Sequence, residues 1–161
     1  MEPSSIGRLP ILNVTPDSFS DGGRFRQRDE ALRHAAAMVA AGASLIDVGG
    51  ESTRPGAAEV DVAEEIARTA PVIAELASLG MPLSSDTRKA AVAEAALGAG
   101  ARLVNDVSGL TWDERMVGVV AASGAPVVIV HMAGDPQTMQ DDPRYDDVLV
   151  DVFFWLEERI A

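Results

Sequence analysis

The sequence predicts an α/β protein with a parallel sheet of the (β/α) TIM-barrel type, incomplete, holding about five of the eight β/α units of such a barrel. Three observations carry this expectation. Short apolar runs alternate with longer amphipathic stretches five times over. A polar residue (Asn13, Asp47, Asp86, Asn105 or His131) follows each apolar run, as in barrels whose active sites are assembled at the carboxyl ends of their strands. A doubly wound sheet would instead gather such residues near one switch point and place a glycine-rich phosphate turn after the first strand; neither pattern is present. The polar residues recur about every 30 residues, so eight units would need roughly 240 residues. At 161 residues the chain reads as one domain over residues 1–161, the amino-terminal portion of a barrel.

The expected strands are 9–12, 44–48, 81–85, 102–104 and 126–130. Their apolar character on both faces suits parallel strands covered on both sides. The third, containing Ser84 and Ser85, is the least strand-like. Helices fill the intervals. The Ala-rich stretches 29–41 and 88–99 stop at Gly42 and Gly100. Asp61 with Glu64 forms a capping-box pattern ahead of Val62, Ile66, Ile73 and Leu76, ended by Gly80, with Pro71 predicting a kink or break. Thr111 with Glu114 opens a fourth helix through Met116, Val117 and Val120 to Gly124. A fifth runs from Asp147 to the terminus, with Leu149, Phe153, Leu156 and Ile160 on one side.

Composition narrows the function. The chain has no cysteine, which removes disulfides, thiolate metal sites and thiol nucleophiles. A formal charge of −12 opposes nucleic acid and anionic membrane, and it requires local cations wherever an anionic substrate is held. No apolar run approaches the ~18 residues of a membrane span. The expectation is a cytoplasmic protein with neither nucleic-acid nor membrane partners.

Chemistry concentrates in the loops after the apolar runs. The first, 13–23, is small and polar, with Pro16, Asp17 and a lone aromatic, Phe19. In the second, Gly49 and Gly50 permit close backbone approach, and Ser52, Thr53 and Arg54 suit phosphate oxygens. Asp86 and Asn105 could read a planar heterocycle at the bottom of a pocket, while Asp106 reads as a helix cap. His131 is either a ligand-facing residue or a buried hydrogen-bonding one; Met132 and Met139 offer adaptable apolar walls.

Taken together, ILNVTPDSFSDGG at 11–23 and IDVGGESTRPG at 46–56 resemble the two fingerprint loops of the dihydropteroate synthase family, whose order is continued by SDT at 85–87, GARLVNDVSG at 100–109 and HMAGDPQTMQ at 131–140. The resemblance implies a transferase of folate synthesis that joins dihydropterin pyrophosphate to p-aminobenzoate and releases pyrophosphate. It implies Mg²⁺ on the pyrophosphate, with Asn13 as its ligand. It places Asp86 and Asn105 on the pterin ring and Val107, His131 and Met132 among the substrate-binding positions. Thr53 and Arg54 match the second loop and Asp17 and Phe19 the first, which close over the diphosphate and build the p-aminobenzoate site. Pro10 stands where the family has Gly, and Ser85 where an apolar residue is usual. The family's later motifs, including an Asp-Pro-Gly turn and a Ser-Arg-Lys stretch, are absent, and Lys89 is not positioned to replace their lysine. An inactive half-barrel, or less readily a pterin-dependent methyltransferase, are the alternatives. Open edges on a five-strand piece predict a fragment of a larger polypeptide, or a homodimer or other oligomer.

Overall fold

The computed structural model describes residues 9–14, 24–53, 57–132, 134 and 143–160. Strands and helices alternate as β1 (Ile11–Asn13), α1 (Arg24–Ala40), β2 (Ile46–Gly49), α2 (Val62–Ser78), β3 (Leu83–Asp86), α3 (Ala90–Ala99), β4 (Leu103–Asp106), α4 (Met116–Ser123), β5 (Val127–Ile129) and α5 (Val148–Ile160). The sheet order is β1-β2-β3-β4-β5 and every neighbouring pair is parallel. A doubly wound sheet changes direction at its switch point, so an unbroken sequential order belongs to barrel winding. The expected fold class holds.

Each strand starts one or two residues later than its apolar run. Asn13, Asp86 and Asn105 therefore lie within strands, held by the ladder, rather than in the loops beyond. Alternation then sorts the two faces. Leu12, Ile46, Val48, Leu83 and Val104 are all at most 1% exposed on the face covered by helices. They pack with Ala31, Ala35, Val72, Ile73, Leu76 and Ala96, and in a second cluster with Ala90, Ala93 and Met116. The many alanines let the helices sit close on the sheet, and each fully buried Leu or Ile contributes about 1.5–3 kcal/mol. Ser85 shares this apolar side, and its buried Oγ has no hydrogen-bond partner.

Helix ends follow the sequence with four differences. The first helix starts at Arg24 rather than near Asp29. Asp61 Oδ1 accepts from the Ala63 and Glu64 N–H groups at 2.8 and 3.4 Å, but Glu64 pairs with Arg68 instead of completing the box. The break expected at Pro71 does not occur: α2 runs through it, because Val72, Ile73 and Leu76 beyond it are buried and Ala67, whose carbonyl loses its partner, faces water. The fourth helix starts at Met116 rather than near Thr111. Asp113 accepts from the Arg115 N–H at 3.1 Å and, with its other oxygen, caps α3 through the Ala90 N–H at 3.0 Å. Asp147 does cap α5, accepting from Leu149 and Val150 at 3.0 and 3.3 Å. Gly100 ends α3 at φ 116°, a left-handed conformation that a side chain would strain. No described helix is long and apolar enough to cross a membrane.

Candidate active site

The face opposite the helices carries the chemistry. Register aligns Asn13 with Gly49, Gly49 with Asp86, and Asp86 with Asn105, so three of the expected site residues form one row across four strands. Asp47 is not in that row. It lies one step deeper, paired with Ile11 and Ser84, and Gly49 takes the rim position expected for it. A Cβ on Gly49 would come within 3.2 Å of Asp86 Oδ2 and 3.6 Å of Asn13 Oδ1. The bare glycine thus leaves a cradle bordered by two hard oxygens, which explains the residue physically. Gly50 has a different reason: a Cβ there would strike Thr69 Cγ2 at 2.7 Å and Glu65 Cγ at 2.9 Å, so its contact is with α2 rather than a ligand.

The floor is polar and only partly satisfied. Asp47, 1% exposed, accepts from Ser84 Oγ at 2.6 Å and from Asn105 Nδ2 at 2.8 Å. Asp86 Oδ1 and Asn105 Oδ1 are buried without partners. Orphaned polar atoms of this kind cost free energy and mark a place where a ligand's groups complete the bonding. Burial first, and then the negative charges of Asp47, Glu65, Asp106 and Glu51, push the Asp86 carboxyl up to about 7. A carboxyl raised this far in a concave floor is characteristic of a functional position.

Beside the floor stands a buried ionic cluster that the sequence reading did not find. The Lys89 ammonium reaches Glu51, the Val60 carbonyl and, at 2.8 Å, Glu65 Oε2. Arg88 bonds Glu51 at 3.0 Å and lies over the Trp112 ring at 3.7 Å. Thr87 Oγ1 donates to Glu65 at 2.9 Å, and the Val60 N–H donates to Glu51 Oε2 at 2.7 Å. Glu51 and Val60 bracket the loop that carries Thr53 and Arg54, so this cluster ties both ends of the loop to α2 and α3. Burial raises the Glu51 carboxyl, but the hydrogen bonds from Lys89 and Val60 and the charges of Lys89 and Arg88 outweigh it and hold the group below 4.5. Burial lowers the Lys89 ammonium, and its bonds to Glu51 and Glu65 more than restore it, leaving it above 10.5. The signal available in sequence was a single lysine, directly after a strand end, in a chain whose other basic residues are nearly all arginine.

Of the remaining expected site residues, Thr53 is half-buried at the end of the described part of its loop. Val107 and Met132 are half-buried just beyond β4 and β5. His131 is half-buried and packs its ring against Trp155 of α5 at 4.9 Å and Tyr145 at 5.8 Å. Asp106 caps no helix, contrary to expectation: α4 starts only at Met116, and the carboxylate instead closes the turn after β4, accepting from Ser108 N–H and Oγ at 2.8 and 2.6 Å and from the Leu110 N–H at 3.1 Å. Asp17, Phe19 and Arg54 lie outside the described residues. Among the described residues no group of three or more His, Cys, Asp and Glu is arranged to hold a metal ion. The Asn13 and Asp86 oxygens around Gly49 nevertheless fit Mg²⁺, which keeps most of its water and takes phosphate oxygens beside one or two protein ligands.

The chain is similar to known proteins over most of its length. The chain is 49% identical over 142 residues to dihydropteroate synthase of Synechocystis, covering 88% of this chain and 49% of that protein. It is 47% identical over 154 residues to the Escherichia coli enzyme, covering 95% and 54%. Dihydropteroate synthase of Yersinia pestis, solved with a sulfonamide drug complex, superposes with a TM-score of 0.86 at 48% identity, covering 96% of this chain and 56% of that one. The Burkholderia cenocepacia enzyme, solved with 7,8-dihydropteroate, gives 0.82 at 44% identity, covering 97% and 52%. The chain spans about half the length of these relatives. The model of the family described as pterin binding enzyme matches residues 9–161, and the chain belongs to that family.

Proposed function

We propose that the chain carries the pterin-diphosphate half of a dihydropteroate synthase site, which joins 7,8-dihydropterin pyrophosphate to p-aminobenzoate with release of pyrophosphate. The observation that carries this reading is the pair of orphaned floor oxygens, Asp86 Oδ1 and Asn105 Oδ1, in one row with Asn13. A flat ring with N–H donors along one edge satisfies both oxygens and leaves its hydroxymethyl substituent directed to the rim. The relatives solved with 7,8-dihydropteroate and 4-aminobenzoic acid support the same substrate classes.

The reaction breaks the bond between the methylene carbon and the pyrophosphate oxygen, with the electron pair leaving on oxygen. The arylamine nitrogen then forms the new bond to that carbon and loses a proton. The protein's task is to hold charge as it develops on the leaving group, more than to supply a strong base. Asn13 and Asp86 would hold Mg²⁺, which when bound would neutralise the pyrophosphate charge. Thr53 and Arg54 add a hydroxyl and a fork of donors from the second loop, and Asp17 and Phe19 contribute from the first. Such local cations resolve the difficulty of holding a diphosphate on a chain of charge −12.

Two measurements on the chain test the proposal: calorimetric titration with the pterin pyrophosphate and Mg²⁺, and formation of dihydropteroate once p-aminobenzoate is added. Binding and product are both expected, with Arg54→Ala lowering product formation by about 10²-fold. Binding without product supports the second reading, a pterin-binding half-barrel. Absence of binding overturns both.

A further inference from the structure

The hydrogen-bond polarity of the floor is set from beneath it. Asp47 presents two carboxylate oxygens and receives two donors, Ser84 Oγ at 2.6 Å and Asn105 Nδ2 at 2.8 Å. An ionised carboxylate accepts only, so the Asn105 amide has to turn its NH₂ downward to Asp47. Its oxygen is then the atom left for a ligand, and that oxygen is buried and unpartnered. Asp86 Oδ1, one strand away in the same row, is unpartnered too.

From this arrangement we propose that Asp47 is a positioning residue that determines ring specificity. By fixing the Asn105 amide, it makes the floor present two adjacent acceptors, which select a heterocycle edge carrying N–H donors over an isostere that carries a carbonyl there. This rests on the reading that the floor takes a pterin edge. Asp47 itself touches no ligand; it is 1% exposed and acts through Asn105. Replacing Asp47 by Asn gives the position a donor of its own, and the Asn105 amide can then turn over and offer its NH₂ upward. Exchanging the two side chains, Asp47→Asn with Asn105→Asp, restores the polarity: the amide now donates from below and a carboxylate oxygen still faces the ligand.

The test compares 6-hydroxymethylpterin with its lumazine counterpart, in which the 2-amino group is replaced by oxygen, by calorimetry on the full chain. The wild type is expected to prefer the pterin by about tenfold or more, since a site built to receive a donor rejects a ring that lacks it. In Asp47→Asn the ratio falls towards one, and in the exchanged pair it returns. Ser84→Ala, which removes the other bond to Asp47, leaves the ratio in place. An equal loss of both ligands in Asp47→Asn, or no return in the exchanged pair, would show a merely structural role and overturn the inference. A wild type that binds neither ring overturns the functional reading and this inference with it, whereas a pterin-preferring wild type with an unaltered Asp47→Asn ratio overturns this inference alone. Should Asp47→Asn not fold, the wild-type Asn105 side-chain NH₂ decides by NMR. Slow exchange before and after pterin addition upholds the inference, and fast exchange overturns it.

Discussion

Asp86 shows how the site sets function against stability within one side chain. Its carboxyl stands at about 7 in the folded protein because burial and four neighbouring negative charges disfavour its ionised form. A folded value raised above the unfolded one means the native state holds a proton that the unfolded chain has released. The associated stability is therefore complete below about pH 4 and is lost as pH rises through 7. Above that, Asp86 is a liability to the fold. Asp86→Asn is expected to stabilise the protein by about 1–3 kcal/mol at pH 8 and to change little at pH 4, measured by urea unfolding at both values. The same change should weaken pterin binding by tenfold or more, because the amide is a poorer acceptor for a ring N–H. Asp86 could be singled out from sequence, since a carboxylate after an apolar run is visible there. Its raised proton affinity could not, because it comes from burial in the assembled sheet and from charges on β2 and the loop after it, α2 and β4.

Among the elements, the connection from β2 to α2 is fixed by partners distant in the chain. Glu51 and Lys89 are 38 residues apart, and Glu65 and Lys89 are 24 apart. The capping of α3 by Asp113 reaches across 23 residues. Periodicity sees only the local pattern, which is why the Asp61 cap and the glycine stops were readable while this cluster, the delayed start of α4 and the passage of α2 through Pro71 were not. Lys89→Met strands the buried Glu65 carboxylate without its cation and leaves Glu51 with Arg88 alone. A loss of about 3–5 kcal/mol is expected in denaturant unfolding near neutral pH. The pH limbs have defined signs. The Glu51 contribution is present above its ordinary value and fades as pH falls through its lowered folded value. The Lys89 contribution is present below 10.5 and fades only as pH rises through its raised folded value. Lys89→Met should abolish the alkaline limb. It should also reduce turnover beyond what ring binding loses, because it loosens the loop carrying Thr53 and Arg54.

For the molecule as a whole, the barrel winding and the identity of the floor residues were readable because both are written in alternation: apolar runs mark strands, and the polar residues at their ends mark a rim. Register is not so written. A shift of one or two residues moved Asp47 from the expected rim row to the layer beneath and brought Gly49 into its place. The open side of the sheet is equally a property of the assembled fold. Ile11 and Val128, 52% and 38% exposed, lie on the floor face, and α5 leaves Leu149 and Phe153 77% and 60% exposed.

The central claim is that Asn13, Asp86 and Asn105 form one surface that receives a pterin ring and its diphosphate. Backbone amide NMR of the chain, titrated with 7,8-dihydropterin pyrophosphate and Mg²⁺, tests it most directly. The expected result is saturable shifts at residues 13, 49, 86 and 105, those at 86 and 105 persisting with the pterin ring alone and those at 13 and 49 requiring the diphosphate and the metal. Shifts confined to the amino-terminal ends of the strands, or to the helix-covered face, would contradict it.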